Sequence, residues 1–455
     1  MKTSASSVVE ALRSGLRGRV VEPDDRDYDD VKAVFYGGRE LRPAAIARVA
    51  DTNDVAQVIS TARDSGVELA IRSGGHSVAR HSIVDGGIVL DLRALKEIEI
   101  DADQRTAWAQ TGLTAGEYTV ATGAHGLATG FGDTSSVGIG GITLAGGIGY
   151  LVRKYGMTID DLLAAEVVTA NGDVVQVDED SHPDLFWAIR GGGGNFGVAT
   201  RYKLRLHEVP HVVGGMLFLP ATPEVIVALV EETLTAPDEL SAMVNVMKAP
   251  PMPFIPDEHH GRPVVMVLLA YAGDLDEGDR LVDRWRKIAP PIGDMVRRMP
   301  YAEVFPPDQE DFHPVAASRT MFGGGVGHPE ARSIIDALEG SNAFMAVAHL
   351  RALGGAMARV PTDATAFAHR ARPLLVNVAA LYEAPDQRDE HEAWVGELST
   401  ELAGAPGAYS GFLGEDGQAR ILEAYPEQTW NRLLDIKKRY DPDNAFRMNH
   451  NIEQR

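Results

Sequence analysis

The segment IRSGGHS, residues 71–77, ends an apolar stretch with two glycines and a histidine. The residues before it, VELAI, are typical of a buried strand, so the glycines lie where a strand stops. One interpretation is a turn, because paired glycines are common in loops and a nearby histidine is often a bystander. The other is a cofactor cradle, in which glycines let backbone N–H groups approach a phosphate and His76 acts as a ligand or nucleophile. This segment alone does not decide between the two interpretations.

Composition limits the class of protein. A length of 455 residues predicts two or three domains. The 43 Lys and Arg residues against 65 Asp and Glu residues give a net charge of −22, which disfavours nucleic acid and anionic membranes as partners. The absence of cysteine excludes disulfides, thiolate nucleophiles and Cys-ligated metals. No run is long enough for a membrane span and no secretory signal is recognisable, so we expect a soluble cytoplasmic protein whose oligomeric state the sequence leaves open.

Strand and helix signals change in character near residue 206. Before it, the patterns predict a strand at 45–50, a capped helix at 51–66, a strand at 67–73 and a strand at 86–92. Further predictions in this part are an N-terminal helix, a helix from a capping box at 114–117, a hairpin turning at Asn171-Gly172, a helix at 184–190 and a strand at 198–209. After residue 206, glycine clusters become few and strands alternate with helices, which is typical of an α+β layer. The patterns predict strands at 212–219, 264–272, 343–353 and 373–383 and helices at 223–234 and 276–288. A last helix is predicted to stop before Asp441-Pro442.

Glycine is concentrated in two further segments, 132–149 (GDTSSVGIGGITLAGGIG) and 191–197 (GGGGNFG). Each glycine inside a helix costs about 1 kcal/mol, so these segments form either tight packing loops or a backbone cradle for a large anionic cofactor. The segment GIGGIT, 138–143, lacks the third glycine of the Rossmann fingerprint, and the P-loop and serine-hydrolase motifs are absent. The pairs His76/His81 and His259/His260 have no carboxylate at metal-ligand spacing, so no metal is predicted. Elimination leaves a cofactor that three separated glycine blocks hold mainly by backbone.

Five blocks in order make the chain similar to a known family. They are IRSGGHS, GGIVLDL, VGIGGITLAGGIGYLVRKYG, DLFWAIRGGGGNFGV and YDPDNAF followed by asparagine. Together they resemble the FAD-linked oxidases of the vanillyl-alcohol oxidase / p-cresol methylhydroxylase fold, in the berberine-bridge-enzyme-like branch and its bacterial nicotine-oxidase type. The resemblance implies an α+β protein with a two-lobed PCMH-type FAD-binding domain and a substrate domain whose antiparallel sheet is flanked by helices. The implied boundaries are 1–206 for the FAD domain (core 38–206), 207–415 for the substrate domain and 416–455 for a segment returning to the FAD domain.

The resemblance also assigns the cofactor and its attachment. His76 matches the histidine that bonds to the flavin 8α-methyl carbon, and Thr134 stands where many relatives carry a second, cysteinyl link, so a single histidyl bond to FAD is implied. Val137 matches a residue that controls oxygen access, where valine is typical of oxidases; simple packing is the alternative. The cofactor-binding residues implied are Arg72, Ser73, Gly74, Gly75, His76, Ser77, Ser82, Gly132, Asp133, Thr134, Val137, Gly138, Gly140, Gly141, Leu144, Gly147, Gly149, Tyr155, Gly156, Val168, Asn449 and Asn451.

Catalytic residues are less well marked. Tyr409, in AYSGF, matches a tyrosine that often accepts a proton, but Gly411 replaces the expected asparagine. Asn377 is the neutral amide of an apolar strand, and a half-buried polar group there needs a partner or a ligand. Reserve candidates are Tyr155, Tyr382, His349, Tyr425 and His450. The implied activity is hydride removal from a C–H next to an alcohol or amine of a small molecule, with O2 reduced to hydrogen peroxide. Two alternatives stay open: a dehydrogenase of the same fold that uses a quinone or protein acceptor, and a non-catalytic flavin-binding protein.

Overall fold

A computed structural model describes residues 5–38, 40–306, 312–402, 404, 406–415 and 417–453. Two small sheets form the first part of the chain. One has the order β1-β2-β4-β3, with β2 and β3 both parallel to β4; the other has the order β5-β6-β10-β8-β9 and is antiparallel, and β7 pairs with β11. The strands are β1 (Arg19–Val21), β2 (Ala45–Arg48), β3 (Leu69–Arg72), β4 (Ile88–Asp91), β5 (Ile98–Asp101), β6 (Thr106–Gln110), β7 (Leu127–Ala128), β8 (Leu162–Val168), β9 (Val174–Val177), β10 (Val198–Arg205) and β11 (His207–Glu208).

Helices pack on both sheets. They are α1 (Ala5–Gly15), α2 (Tyr28–Lys32), α3 (Thr52–Ser65), α4 (Ala115–Gly123), α5 (Ile139–Ala145), α6 (Val152–Tyr155) and α7 (Pro183–Ile189). The Asp51 side chain caps α3 by accepting the Asp54 N–H, and Gly66 ends that helix at φ +69°. Thr114 and Glu117 form the predicted capping box of α4. These caps help to position β3, which Gly74 and Gly75 follow, and α5, which contains Gly140 and Gly141.

The second part of the chain is built on one large antiparallel sheet. Its order is β15-β12-β14-β13-β18-β19-β17, and β16 also pairs with β12. The strands are β12 (His211–Pro220), β13 (Leu240–Lys248), β14 (Pro263–Tyr271), β15 (Gly293–Asp294), β16 (Arg297–Pro300), β17 (Val315–Gly323), β18 (Met345–Ala352) and β19 (Leu374–Tyr382). The helices are α8 (Pro223–Thr235), α9 (Leu275–Trp285), α10 (His328–Gly340), α11 (Gly355–Arg359) and α12 (Arg388–Glu401).

The two faces of this sheet have different surroundings. Alternate residues of the central strands, such as Val244, Leu350 and Val378, pack with α8, α9, α10 and α12 in the largest hydrophobic core. The other face points to the glycine-rich part of the chain, because Arg351 on that face donates to the Ile148 carbonyl at 2.6 Å. The sheet therefore has one helix-covered face and one face that meets the first part of the molecule.

The C-terminal segment returns to the small sheets. After α13 (Gln418–Ala424) and α14 (Glu427–Tyr440), Phe446 joins the core around α3, and Ile452 joins the core around β10. Within the described ranges, no helix has the length and apolar character needed to cross a bilayer.

Most elements predicted from periodicity are confirmed. The strands at β2, β3 and β4, the hairpin with Gly172 at φ +86°, and the stop of α14 before Asp441 are as expected. One predicted strand, 198–209, is divided into β10 and β11. The predictions did not include β13, β17, α10 and α12. The residues of β13 are buried on both faces, so no alternating pattern marks that strand.

Candidate active site

Two glycine segments touch each other through their backbones at the end of β3 and the start of α5. A Cβ added to Gly74 would lie 2.1 Å from the Gly138 nitrogen, and one added to Gly138 would lie 2.1 Å from the Gly74 nitrogen. Beside this contact, the Ser73 hydroxyl donates to the Thr111 carbonyl at 2.6 Å and accepts the Gly140 N–H at 3.2 Å. No side chain fits between the segments, so together they present one bare backbone surface.

His76 follows this surface and lies against Phe35. The two ring centroids are 4.4 Å apart and the ring planes differ by 20°, so Phe35 fixes one face of the imidazole. Arg72 behaves differently from its neighbours. Its side chain is fully buried and forms an ion pair at 3.1 Å with Asp91, which is also fully buried. The Arg72 side chain is therefore engaged within the protein, and only the Arg72 backbone is available to a ligand.

Several of the other glycines serve packing within the protein. A Cβ on Gly147 (φ +77°) would lie 1.9 Å from Thr158 Oγ1, and one on Gly149 would lie 2.1 Å from the Phe131 carbonyl oxygen. A Cβ added to Gly75, Gly132 or Gly156, which were also predicted to bind the cofactor, would likewise lie within 4 Å of protein atoms. Gly141 differs, since a Cβ there would meet nothing within 4 Å and the residue is exposed. The packing interpretation thus describes Gly147 and Gly149, while Gly141 borders open space.

The remaining predicted cofactor residues have varied surroundings. The Ser82 hydroxyl is buried and has no hydrogen-bond partner among the described residues. Val137 is half-buried and its carbonyl accepts the Ala115 N–H. The Leu144 carbonyl accepts backbone N–H groups from the 191–197 glycine block. The Ser77 hydroxyl accepts the His81 N–H at 3.4 Å.

Two predicted residues have side chains occupied by protein neighbours. Val168 is fully buried in the core that also contains Val198 and Phe446. Tyr155 stacks on His207 with ring centroids 3.8 Å apart. Any contact of Val168 or Tyr155 with a cofactor would thus involve other atoms or faces than those packed here.

The chain end joins the third glycine block. Asn195 donates to the His450 carbonyl at 3.2 Å and accepts the Ile452 N–H at 3.0 Å, and Asn449 donates to the Gly194 carbonyl at 3.2 Å. The side-chain oxygens of Asn449 and Asn451 are buried and have no hydrogen-bond partner in the part of the chain that the structure describes. Buried acceptors are rarely left unpaired, so these two amides point to a ligand that donates hydrogen bonds.

A row of polar side chains crosses the face of the large sheet that meets these segments. Thr320, Asn377, His349 and Asn245 are direct cross-strand neighbours on β17, β19, β18 and β13, so they share one face. His349 Nδ1 lies 2.5 Å from Asn245 Oδ1, and because that oxygen only accepts, Nδ1 carries the proton and Nε2 is left as an acceptor. Asn377 is 8% exposed and its Oδ1 has no described partner. This row, Thr320–Asn377–His349–Asn245, is called the polar row below.

Asp133 connects the glycine-rich segment to the polar row. Its carboxylate forms an ion pair with Arg351, which lies two residues after His349 on the same face, and accepts from the Thr134 hydroxyl at 3.1 Å. Burial alone would raise the pKa of Asp133, but Arg351, His349 and the hydrogen bonds lower it below its ordinary value. Burial lowers the pKa of His349 to about 4, against the opposing effect of the Asp133 carboxylate. At neutral pH, the centre therefore contains a paired carboxylate and a neutral imidazole.

Tyr409 lies on the glycine side of this centre. Its hydroxyl oxygen accepts the Gly147 N–H at 3.1 Å, and the side chain is 3% exposed. Burial raises the pKa of Tyr409 to about 12, even though the Gly147 N–H and Arg351 act in the opposite direction. The hydroxyl is protonated at neutral pH, so in this state it is a hydrogen-bond donor and not a base.

The reserve candidates are separated by the fold. His349 belongs to the polar row. Tyr382 packs in the helix-covered core, and Tyr425 donates to the Gly191 carbonyl at 3.0 Å. His450 meets His81 edge to face, with centroids 4.7 Å apart. Of the reserve set, His349 is thus the residue with a free acceptor beside Asp133.

Comparison with known proteins identifies the family. A family model described as an FAD binding domain matches residues 43–178, and one described as berberine and berberine like matches residues 409–453. The (R)-6-hydroxynicotine oxidase of Paenarthrobacter nicotinovorans is 31% identical over 96% of this chain and 97% of its own length. The chain belongs to the berberine-bridge-enzyme-like family of FAD-linked oxidoreductases. The predictions of family, of fold class and of an FAD-dependent oxidoreductase are confirmed.

Solved structures of berberine-bridge-enzyme-like and related oxidases share the fold. The crystal structure of 6-hydroxy-D-nicotine oxidase from Arthrobacter nicotinovorans superposes with a TM-score of 0.84 at 28% identity and covers 96% of this chain and 98% of its own. Xylooligosaccharide oxidase from Myceliophthora thermophila, in complex with xylobiose, superposes with a TM-score of 0.85 at 23% identity over 98% of this chain and 99% of its own, which shows the fold alone.

The residues present fit FAD. The bare backbone at Gly74 and Gly138, the open side of Gly141 and the unpaired acceptors of Asn449 and Asn451 together offer a surface for a nucleotide with hydrogen-bond donors. No group of three or more His, Asp or Glu side chains able to hold a metal ion occurs in the part of the chain that the structure describes.

Sequence reasoning missed four residues of the site: Phe35, Asn245, Thr320 and Arg351. Asn245 carried a usable signal, since it is a single amide in the apolar stretch 240–247, as Asn377 is in β19. Arg351 carried none, because an arginine near the end of a strand is ordinary in sequence. Only the packing of the two parts of the molecule places Arg351 on Asp133.

Proposed function

We propose that this enzyme is an oxidase that removes a hydride from a C–H next to an alcohol or amine of a small organic molecule and transfers the electrons to O2. The observation that carries the proposal is the contact of Arg351 with Asp133 and with the Ile148 carbonyl, which joins the sheet face that holds the neutral polar row to the glycine-rich segment 132–149. Bound FAD supplies the hydride-accepting chemistry. The substrate loses a hydride and the proton of its O–H or N–H, and O2 takes up two electrons and two protons as hydrogen peroxide.

The cofactor is attached through His76 in this proposal. The histidine follows the backbone surface at Gly74, and its stacking on Phe35 supports a fixed imidazole that can form a bond to the flavin. The chain has no cysteine, so a second link through sulfur is excluded. Gly141, Asn449 and Asn451 are the residues we expect to contact the rest of the nucleotide.

His349 is the proposed proton acceptor. Its Nε2 is left as an acceptor by the Nδ1 hydrogen bond to Asn245, and the nearby Asp133 carboxylate stabilises the positive charge that a proton would create. Tyr409 was the candidate favoured by the motif, but its hydroxyl has a pKa raised to about 12, since it is buried. We therefore assign Tyr409 the role of a hydrogen-bond donor that orients the substrate.

Two measurements test the proposed function. Acid precipitation of the purified enzyme is expected to leave yellow flavin in the pellet, and His76→Ala is expected to release it. A screen of neutral alcohols and amines for peroxide, followed in an oxygen electrode, is expected to find a substrate that consumes O2. Reduction of the flavin without O2 uptake would instead indicate a dehydrogenase, and a colourless protein that takes up no FAD would contradict the proposal.

Val137 provides the test of oxygen use. In the family resemblance, valine at this position is typical of oxidases, and the residue is half-buried beside the Gly138 contact. Val137→Leu is expected to slow flavin reoxidation by O2 while leaving anaerobic reduction by the same substrate unchanged. Equal effects on both half-reactions would indicate that Val137 only packs.

A further inference from the structure

The polar row continues into apolar side chains along the same face of the large sheet. Asn245 on β13 is directly opposite Met266 on β14, and Met266 is opposite Phe218 on β12. Two residues along the strands from Asn245 and His349, Met247 and Val347 lie on the same face and join an apolar cluster. Its partly exposed members include Met216, Met252, Phe254 and Met345. The face thus has a polar half and a methionine-rich half, and methionine side chains adapt to flat apolar bodies.

The polar half carries no unpaired charge among the described residues that contact it. Arg351 is engaged by Asp133 and by the Ile148 carbonyl, and Arg420, which donates to the Thr320 carbonyl, is paired with Glu423. A charged substrate group placed here would lose water without gaining an opposite charge, which is costly in a buried site.

Two acceptors remain side by side in the row, together with the Thr320 hydroxyl and the Asn377 amide N–H groups, which can also donate. His349 Nε2 has its lone pair available because Nδ1 is bonded to Asn245. Asn377 is 8% exposed, and its Oδ1 is buried without a partner among the residues described. Adjacent strands are about 4.8 Å apart, so two acceptors on neighbouring strands match two donors at about that separation. A substrate that brings O–H or N–H groups to this end satisfies both of these acceptors.

We propose that the substrate is an uncharged molecule with two hydroxyl or N–H donors about 5 Å apart on a flat apolar body, the donors meeting His349 and Asn377 and the body meeting Met266 and its neighbours. This inference rests on the proposed function and narrows it. It excludes carboxylates and permanently charged ammonium compounds as preferred substrates. It also disfavours substrates that are hydroxylated on every side, because half of the surface has nothing to pair with them.

Three probes that share a 3-hydroxyphenyl ring and carry a neutral, an anionic or a cationic second group test the proposal on the purified flavin-loaded enzyme at neutral pH: 3-hydroxybenzyl alcohol, 3-hydroxybenzoate and 3-hydroxybenzylamine. Isothermal titration calorimetry is expected to show the neutral alcohol binding at least about tenfold more tightly than either charged probe. Asn377→Leu is expected to weaken binding of the alcohol by about tenfold, the effect of one lost hydrogen bond. His349→Leu is expected to do the same.

Thr119→Val is the matched control. Thr119 is a buried residue of α4 whose hydroxyl also has no partner within the described ranges, so its loss reports the general effect of removing such a group. We expect unchanged probe binding in this variant. Equal or tighter binding of a charged probe, no binding of the alcohol, or unchanged binding in both row variants would overturn the inference. Flavin content is read separately by absorbance. A flavin-loaded enzyme that fails to discriminate the probes rejects this inference alone, whereas a protein without flavin rejects the proposed function.

Discussion

The Asp133 carboxylate and the Arg351 guanidinium form an ion pair that joins the glycine-rich segment to the large sheet. The two residues are 218 positions apart in the chain, and the Arg351 side chain is 6% exposed. The pair therefore fixes how the polar row lies relative to the backbone surface at Gly74 and Gly138.

Removing one partner of this pair is expected to destabilise the protein. Arg351→Gln should lower the free energy of unfolding by about 2–4 kcal/mol, because it leaves the Asp133 carboxylate without its counter-charge. Urea unfolding followed by circular dichroism measures the change. The double variant with Asp133→Asn should lose less than the sum of the two single variants, and strict additivity would contradict a direct coupling.

Gly74 and Gly141 are expected to respond in opposite ways to an added methyl group. Gly74→Ala places a Cβ 2.1 Å from the Gly138 nitrogen and should destabilise the protein by about 3 kcal/mol. Gly141→Ala meets no atom within 4 Å and should stabilise the flavin-free protein by up to about 1 kcal/mol, because alanine favours the helix.

Flavin content separates packing from binding at these two positions. Gly141→Ala should reduce the amount of FAD retained, since its methyl group enters the open space where we expect the nucleotide. The ratio of flavin absorbance at about 450 nm to protein absorbance at about 280 nm measures the FAD content per protein molecule. A stable Gly141→Ala protein with full FAD would contradict a cofactor contact at this glycine.

Phe35 is expected to control attachment at His76. Phe35→Leu removes the stacked ring and should lower the fraction of covalently bound flavin while leaving total flavin binding nearly unchanged. Fluorescence of the denatured protein on a gel measures the covalent fraction. Phe254→Leu, an aromatic residue of the apolar cluster, is the control and should keep full attachment. Equal covalent fractions in both variants would show that stacking on His76 is unimportant.

Buried histidines are expected to make the fold sensitive to acid. Burial lowers the pKa of His81 to about 3 and of His349 and His450 to about 4, while unfolded histidine titrates near 6.5. Between these values the unfolded chain binds more protons, so stability is complete above about pH 6.5 and is lost as the pH falls toward 4, by up to about 1.4 kcal/mol per pH unit for each histidine.

His450→Gln is the variant that checks this pH dependence. It removes one buried titrating group and also the unfavourable charge that His450 would impose on His81, so the fall in stability from pH 6.5 to 4 should be shallower. Urea midpoints across this range measure the slope. His125→Gln, at an exposed position, is the control and should show the same fall in stability with pH as the wild-type protein. If His450→Gln also showed the wild-type fall, His450 would not contribute to the acid sensitivity.

Local sequence determined much of the first part of the molecule. The alternation of strand and helix around α3, the capping box of α4 and the turn at Gly172 depend on nearest neighbours, so these elements could be predicted from residues close in the chain. The glycine blocks predicted a backbone surface for the same reason, because a missing side chain is visible in the sequence itself. Their division into packing glycines such as Gly147 and an open one, Gly141, could not be predicted, since it depends on which distant atoms face each position.

Tertiary structure alone decided the substrate side of the site. Asn245, His349, Asn377 and Thr320 come from four strands between residues 245 and 377, and only the strand order places them in one row. The same holds for the charge at this site, because nothing near Arg351 in the sequence indicates its counter-charge. Its pairing with Asp133 depends on a contact between residues 218 positions apart. Sequence patterns record neighbours along the backbone, whereas cross-strand pairing and desolvation depend on neighbours in space.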